Sequence, residues 1–154
     1  MTDVNLIINE QIEKYGRERQ ALMPILQKIV ADKNYITEDE LALVAEALDL
    51  SAADVYGTAT FYTFLDVVPR GKYVIRVCKT ISCHMSGKDE IIKTLEKTLG
   101  IKLGETTPDR KFTLLQANCM GWCHKGPVML INDEVYPELT PEKAIAIVQE
   151  YIAK

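Results

Sequence analysis

The chain has 154 residues, is 47% hydrophobic and carries a formal net charge of −4. That length allows one domain or two small ones with a packed core, and the acidic balance argues against nucleic acid, whose phosphates require clustered Lys and Arg. No apolar run approaches the roughly eighteen residues of a membrane span. Met1-Thr2-Asp3-Val4-Asn5 has neither the basic start nor the apolar core of a signal peptide, so a cytoplasmic location with reduced thiols is expected.

In chain order, Val4, Ile7, Ile8 and Ile12 share one side of a helix over residues 1 to about 15. Leu22, Ile25, Leu26, Ile29 and Val30 form a second helical stripe, with Pro24 either in its first turn or kinking it. Thr37-Glu38-Asp39-Glu40 has the form of a capping box and starts a third helix bearing Leu41, Val44, Ala45 and Leu48. Ser51 caps a fourth, with Asp54 in its first turn and Val55, Ala59 and Tyr62 along it. Residues 1–66 therefore read as a helical bundle without Cys or His. The aromatics Phe61, Tyr62 and Phe64 at its end are expected to be core packing against the next domain. Val68-Pro69-Arg70-Gly71 marks the linker.

Residues 71–154 change pattern. Tyr73 to Val77 is a strand running into Cys78. Ser86-Gly87-Lys88-Asp89 is expected to cap a helix with Ile91, Ile92, Leu95 and Leu99, closed by Gly100, and Phe112 to Leu115 is a second strand leading towards Cys119. Val128 to Ile131 and Glu134 to Tyr136 flank the hairpin turn Asn132-Asp133. Thr140 caps a last helix with Pro141 at its first position and Ala144, Ile145, Val148 and Ile152 on one face. The fold class is α+β: a helical bundle followed by a thioredoxin-like α/β sandwich of strand, helix, strand, hairpin and helix.

The chemistry lies in Cys78, Cys83, Cys119 and Cys123, which are all the cysteines present and are spaced C-x4-C, thirty-five residues, C-x3-C. Each pair follows an apolar strand, so two neighbouring strands can deliver four thiolates to one place. The loops Lys79 to Ser82 and Met120 to Trp122 can turn backbone N–H groups towards an anionic, sulfur-ligated centre. A structural zinc site usually closes as C-x2-C knuckles, disulfides suit a reducing compartment poorly, and thiol exchange needs C-x-x-C. Both histidines directly follow a cysteine, His84 after Cys83 and His124 after Cys123, so Rieske-type ligation also stands to be weighed. Four thiolates already complete an iron–sulfur site, which leaves the histidines to tune it or to face solvent or a partner.

These residues resemble the thioredoxin-like [2Fe–2S] ferredoxin family, which includes the small [2Fe–2S] subunit of NADH:quinone oxidoreductase and related subunits of NAD-dependent formate dehydrogenases and electron-bifurcating hydrogenases. Val55 to Tyr62 and Asp133 to Glu142 are similar to family segments ahead of the cluster domain and near its end. The resemblance implies one [2Fe–2S] cluster on the four cysteines and single-electron exchange with an NADH-binding flavin/iron–sulfur partner subunit, beside a further catalytic subunit. Trp122 stands where the family commonly has a small residue and is expected to shield the cluster or touch a partner. Lys79, Lys88 and Lys125 would offset the cluster's charge. With no G-x-G-x-x-G or G-x-x-x-x-G-K-[ST] loop, the chain is expected to bind no nucleotide and to hold no complete active site of its own. The alternative is a non-redox adaptor whose four-cysteine metal site only holds its fold.

Overall fold

Residues 3–154 are described by a computed structural model, in which the chain divides into two compact units, Met1–Arg70 and Gly71–Lys154. The expected first helix began at residue 1; Met1 and Thr2 lie outside the described residues.

The first unit is helical because its apolar stripes recur at the helical period, and at three of its four α-helices a side chain meets the free N–H groups of the first turn. Helix α1 (Val4–Tyr15) starts at Asp3, whose carboxylate accepts the Asn5 N–H. Helix α2 (Leu22–Lys33) follows a short 3-10 turn and ends at Asn34 in the left-handed conformation, φ 68°. Pro24, its third residue, falls in the first turn, where no helical N–H is needed. Helix α3 (Glu38–Leu48) carries the complete capping box between Thr37 and Glu40, and α4 (Ala52–Phe61) is capped by Ser51. Ile7, Ile25, Leu26, Ile29, Val44 and Val55 form the fully buried centre of this bundle. Near the capping box, Lys33 Nζ lies 2.6 Å from Glu40 with both side chains largely covered.

The second unit is built on a four-stranded sheet of order β2-β1-β3-β4. Strands β1 (Tyr73–Cys78) and β2 (Phe112–Ala117) are parallel neighbours joined through α5 (Ile81–Met85) and α6 (Lys88–Leu99). Strands β3 (Met129–Ile131) and β4 (Glu134–Tyr136) form the antiparallel hairpin, with β3 beside β1. Every residue of β1 is buried, so the strand reads as a nearly unbroken apolar run rather than an alternating one. Helices α6 and α7 (Pro141–Ala153) pack with the sheet face of Ile75, Val77, Leu114, Met129 and Ile131. Gly71 lies so close to β2 that a Cβ there would sit 2.9 Å from the Phe112 backbone. Its N–H donates to the buried Thr113 hydroxyl at 2.7 Å.

Four expectations are corrected. The C-x4-C stretch is not a plain loop: it holds α5, with Cys83 within it. Helix α6 has no side-chain cap; Gly87 stands at its N-cap, and Ser86 Oγ donates instead to the Ser82 carbonyl at 2.9 Å. The buried face of α7 is Ala144, Ile147, Val148 and Tyr151 rather than one containing Ile152, which is 47% exposed. Phe61, Tyr62 and Phe64 are not core, being 77%, 46% and 46% exposed. They end a helix whose inward residues are the smaller Val55 and Ala59.

Candidate iron–sulfur site

Parallel pairing of β1 and β2 sets Cys78 opposite Ala117, so both cysteine segments leave the sheet at the same end. Cys78 closes β1 and Cys83 follows in α5; both are buried. Cys119 lies just beyond β2 and Cys123 opens a 3-10 turn ending at Lys125; both are exposed. The second segment is fastened to the first by backbone bonds, Lys79 N–H to the Ala117 carbonyl at 2.9 Å and Cys78 N–H to that of Val128 at 3.0 Å.

The sulfurs form two pairs. Cys119 Sγ and Cys123 Sγ are 3.0 Å apart, and Cys78 and Cys83 each shift the other's thiol. Among the described residues no three His, Cys, Asp or Glu side chains are placed around a single metal ion. A two-iron centre asks instead for two thiolates on each iron, and two adjacent thiol pairs supply them.

Donors surround the sulfurs. Thr80 Oγ1 is 3.0 Å from Cys78 Sγ. Burial pushes the Cys78 thiol up, yet the Thr80 hydroxyl and amide, Cys83 and the Met120 amide together outweigh it and leave this thiol below its usual range. Cys83 is raised by burial and by its bond and charge contact with Cys78, with the Val128 N–H partly opposing. Cys123 is raised first by its bond to Cys119, then by burial and the charges of Cys119, Cys78 and Cys83. Gly121 N–H points at Cys119 Sγ at 3.4 Å. Such N–H and O–H groups stabilise thiolates over thiols, the form an iron ligand requires. Gly126 leaves room beside them, since a Cβ there would lie 3.3 Å from Cys83 Sγ. The residues present thus fit the group.

Neither histidine is arranged as a ligand pair with the other. His84 Nδ1 lies 3.1 Å from Asp89, both about half exposed, and His124 stacks on Trp122 with ring centroids 5.8 Å apart. Trp122 is 36% exposed, and Ile81 and Met85 on α5 are 69% and 82% exposed. Lys88 reaches back to the Lys79 carbonyl at 3.4 Å. The loop amides, that of Met120 among them, were expected from the sequence, whereas the Thr80 hydroxyl, Gly126 and the Val128 amide were missed. Thr80, two residues after a cysteine, and Gly126-Pro127, just past the last one, were the available signals.

The chain belongs to the thioredoxin-like [2Fe–2S] ferredoxin family, whose model matches residues 8–152. Its cofactor is accordingly a [2Fe–2S] cluster. It is 38% identical over 133 residues to an NADH-quinone oxidoreductase subunit of Thermus thermophilus, a match covering 85% of this chain and 74% of that protein. It is 36% identical over 144 residues to an NADH-quinone oxidoreductase subunit of Escherichia coli K12, covering 94% of this chain and 87% of that one. Among solved structures, part of an air-oxidised NAD+-reducing [NiFe]-hydrogenase superposes with a TM-score of 0.78 at 23% identity, covering 89% of this chain and 24% of that chain. This last likeness shows the fold alone. Among the described residues no helix is long and apolar enough to cross a membrane.

Proposed function

We propose that this chain is the [2Fe–2S] electron-transfer subunit of a multisubunit NADH-linked oxidoreductase, with Cys78, Cys83, Cys119 and Cys123 as the ligands of one cluster. The observation that carries the reading is the meeting of two cysteine pairs beyond the same end of two adjacent parallel strands. When bound, a [2Fe–2S] cluster exchanges one electron at a time whereas a nicotinamide exchanges a hydride, so a flavin must stand between them. The sequence carries no nucleotide-binding motif, and the flavin therefore belongs to an NADH-binding partner subunit. The chain's residues donate N–H and O–H groups to the sulfurs, hold the Cys78 thiol below its usual range, and keep Cys78 and Cys83 away from water. Ile81 and Met85 on the Cys83 helix and Trp122 between Cys119 and Cys123 are exposed apolar side chains, suited to close approach by that partner. The helical unit, with Phe61 and Tyr62 exposed along an open groove of about 520 Å³, serves docking rather than chemistry. The assembly works in the cytoplasm or on the cytoplasmic side of a membrane complex.

Co-purification from the native host, followed by anaerobic NADH titration watched by visible absorption, tests this reading. A flavoprotein should accompany the chain, and NADH should bleach its charge-transfer bands only when that partner is present. Absence of a flavoprotein, or a colourless zinc-containing chain as the adaptor alternative requires, would contradict it.

A further inference from the structure

The segment 133–142 was singled out by the sequence, and the cysteine chemistry leaves it unused. It runs from the β3–β4 hairpin into α7, and its middle grips the loop that follows Cys123. Glu138 N–H donates to the Lys125 carbonyl at 2.8 Å, and Leu139 N–H donates to the Pro127 carbonyl at 3.1 Å. Between those two carbonyls lies Gly126, the residue packed against Cys83 Sγ. Two residues on, Val128 accepts the Cys78 N–H at 3.0 Å. A shift of the strap would therefore pass through two hydrogen bonds to the wall of the cysteine site.

The strap is itself held at both ends. On the hairpin side, the Tyr136 and Tyr151 hydroxyls both donate to Glu134 Oε2, at 2.5 and 2.7 Å. On the helix side, Lys143 Nζ donates to the Pro137 carbonyl at 2.8 Å and to the Glu138 carbonyl at 3.4 Å. Glu138 has φ +50°, a left-handed conformation that a non-glycine residue adopts only when its surroundings impose it. A cation bridging the carbonyls on either side of the Glu138 nitrogen and Cα imposes it directly. With those carbonyls fixed, the N–H groups of Glu138 and Leu139 must point the other way, at Lys125 and Pro127.

We infer that Lys143 is a positioning residue for the cysteine centre, acting through the 137–139 strap on the loop of Cys123, Gly126 and Val128. The inference rests on the four-cysteine reading. Lys143 touches no sulfur; its effect is on the placement of the groups that do, and outer contacts of this kind govern how firmly a metal is retained.

The test uses the full-length chain reconstituted with iron and sulfide, comparing wild type, Lys143→Met and Lys143→Arg. Iron release to a chelator, the electron paramagnetic resonance line shape of the reduced protein and the melting of each apoprotein are measured. Lys143→Met should release iron roughly tenfold faster with a changed line shape, and Lys143→Arg, which keeps a cationic donor, should restore both. Thr140 still caps α7 in each variant, so the helix is retained. Wild-type release from Lys143→Met overturns the inference. Faster release with an unchanged line shape and a lowered apoprotein melting point also overturns it, since that is a general loosening of the unit. Cys78→Ala is measured alongside: if that variant keeps its iron, the ligation reading fails, whatever the Lys143 variants do.

Discussion

Gly126 faces Cys83 so closely that a Cβ on the glycine would lie 3.3 Å from the cysteine Sγ and 3.6 Å from its Cα. Neither neighbour can easily withdraw, because Cys83 is buried in α5 and Gly126 is flanked by the hydrogen-bonded carbonyls of Lys125 and Pro127. Gly126→Ala should therefore destabilise the second unit by about 1–3 kcal/mol, as overpacking does, and lower the iron retained after reconstitution. Chemical denaturation of the apoprotein and iron analysis of the reconstituted protein check the two effects separately.

The histidines should be dispensable for ligation. His84 is engaged with Asp89, and His124 with the face of Trp122. His84→Ala and His124→Ala should each keep the cluster, with at most a modest change of potential. Loss of iron from either variant, or a low average g value of Rieske type in the reduced wild type, would transfer ligand roles to histidine.

In the helical unit, Glu40 accepts from Lys33 Nζ at 2.6 Å and from the Thr37 N–H and hydroxyl, both at 2.8 Å. Burial pushes its carboxyl up, but these bonds outweigh it and hold it below the ordinary glutamate value. Because the folded value is depressed, the stabilisation is present above the unfolded value of about 4.3 and is lost as pH falls through the folded one. Glu40→Gln should cost about 1–2 kcal/mol at neutral pH, and the gap to wild type should narrow as the pH drops below the ordinary glutamate range. Denaturant titrations at neutral and acid pH check both the size and the sign.

The capping box, the helical stripes and the parallel β-α-β unit were legible because each rests on local spacing: Thr37 with Glu40, Ile25 with Ile29, the apolar run into Cys78. The four cysteines were legible as two pairs for the same reason. Less visible were features that depend on what folds back from afar. Tyr151 lies on the buried face of α7 at i+7 from Ala144, and periodicity allows that face and the one containing Ile152 alike; what decides is that Tyr73 packs on its ring at 4.8 Å and Glu134 accepts its hydroxyl. Val128 became a neighbour of Cys78 only through the pairing of β1 with β3. The aromatics Phe61, Tyr62 and Phe64 looked like core by composition, but the covered positions of α4 are Val55 and Ala59.

Phe61, 77% exposed, contributes little to the fold of the isolated chain. Phe61→Ser should leave its stability within about 0.5 kcal/mol of wild type while weakening assembly with the partner subunit. Unchanged assembly, measured by co-purification and by titration of the partner, would remove this face from the docking surface.

The central claim, that Cys78, Cys83, Cys119 and Cys123 ligate one two-iron cluster, is tested most directly by iron and sulfide analysis of the reconstituted wild type and of the four single Cys→Ala variants. About two irons and two sulfides per wild-type chain, with the cluster lost from every variant, is the expected result. Four irons per chain, zinc in place of iron, or a Cys→Ala variant that keeps the full complement would contradict it.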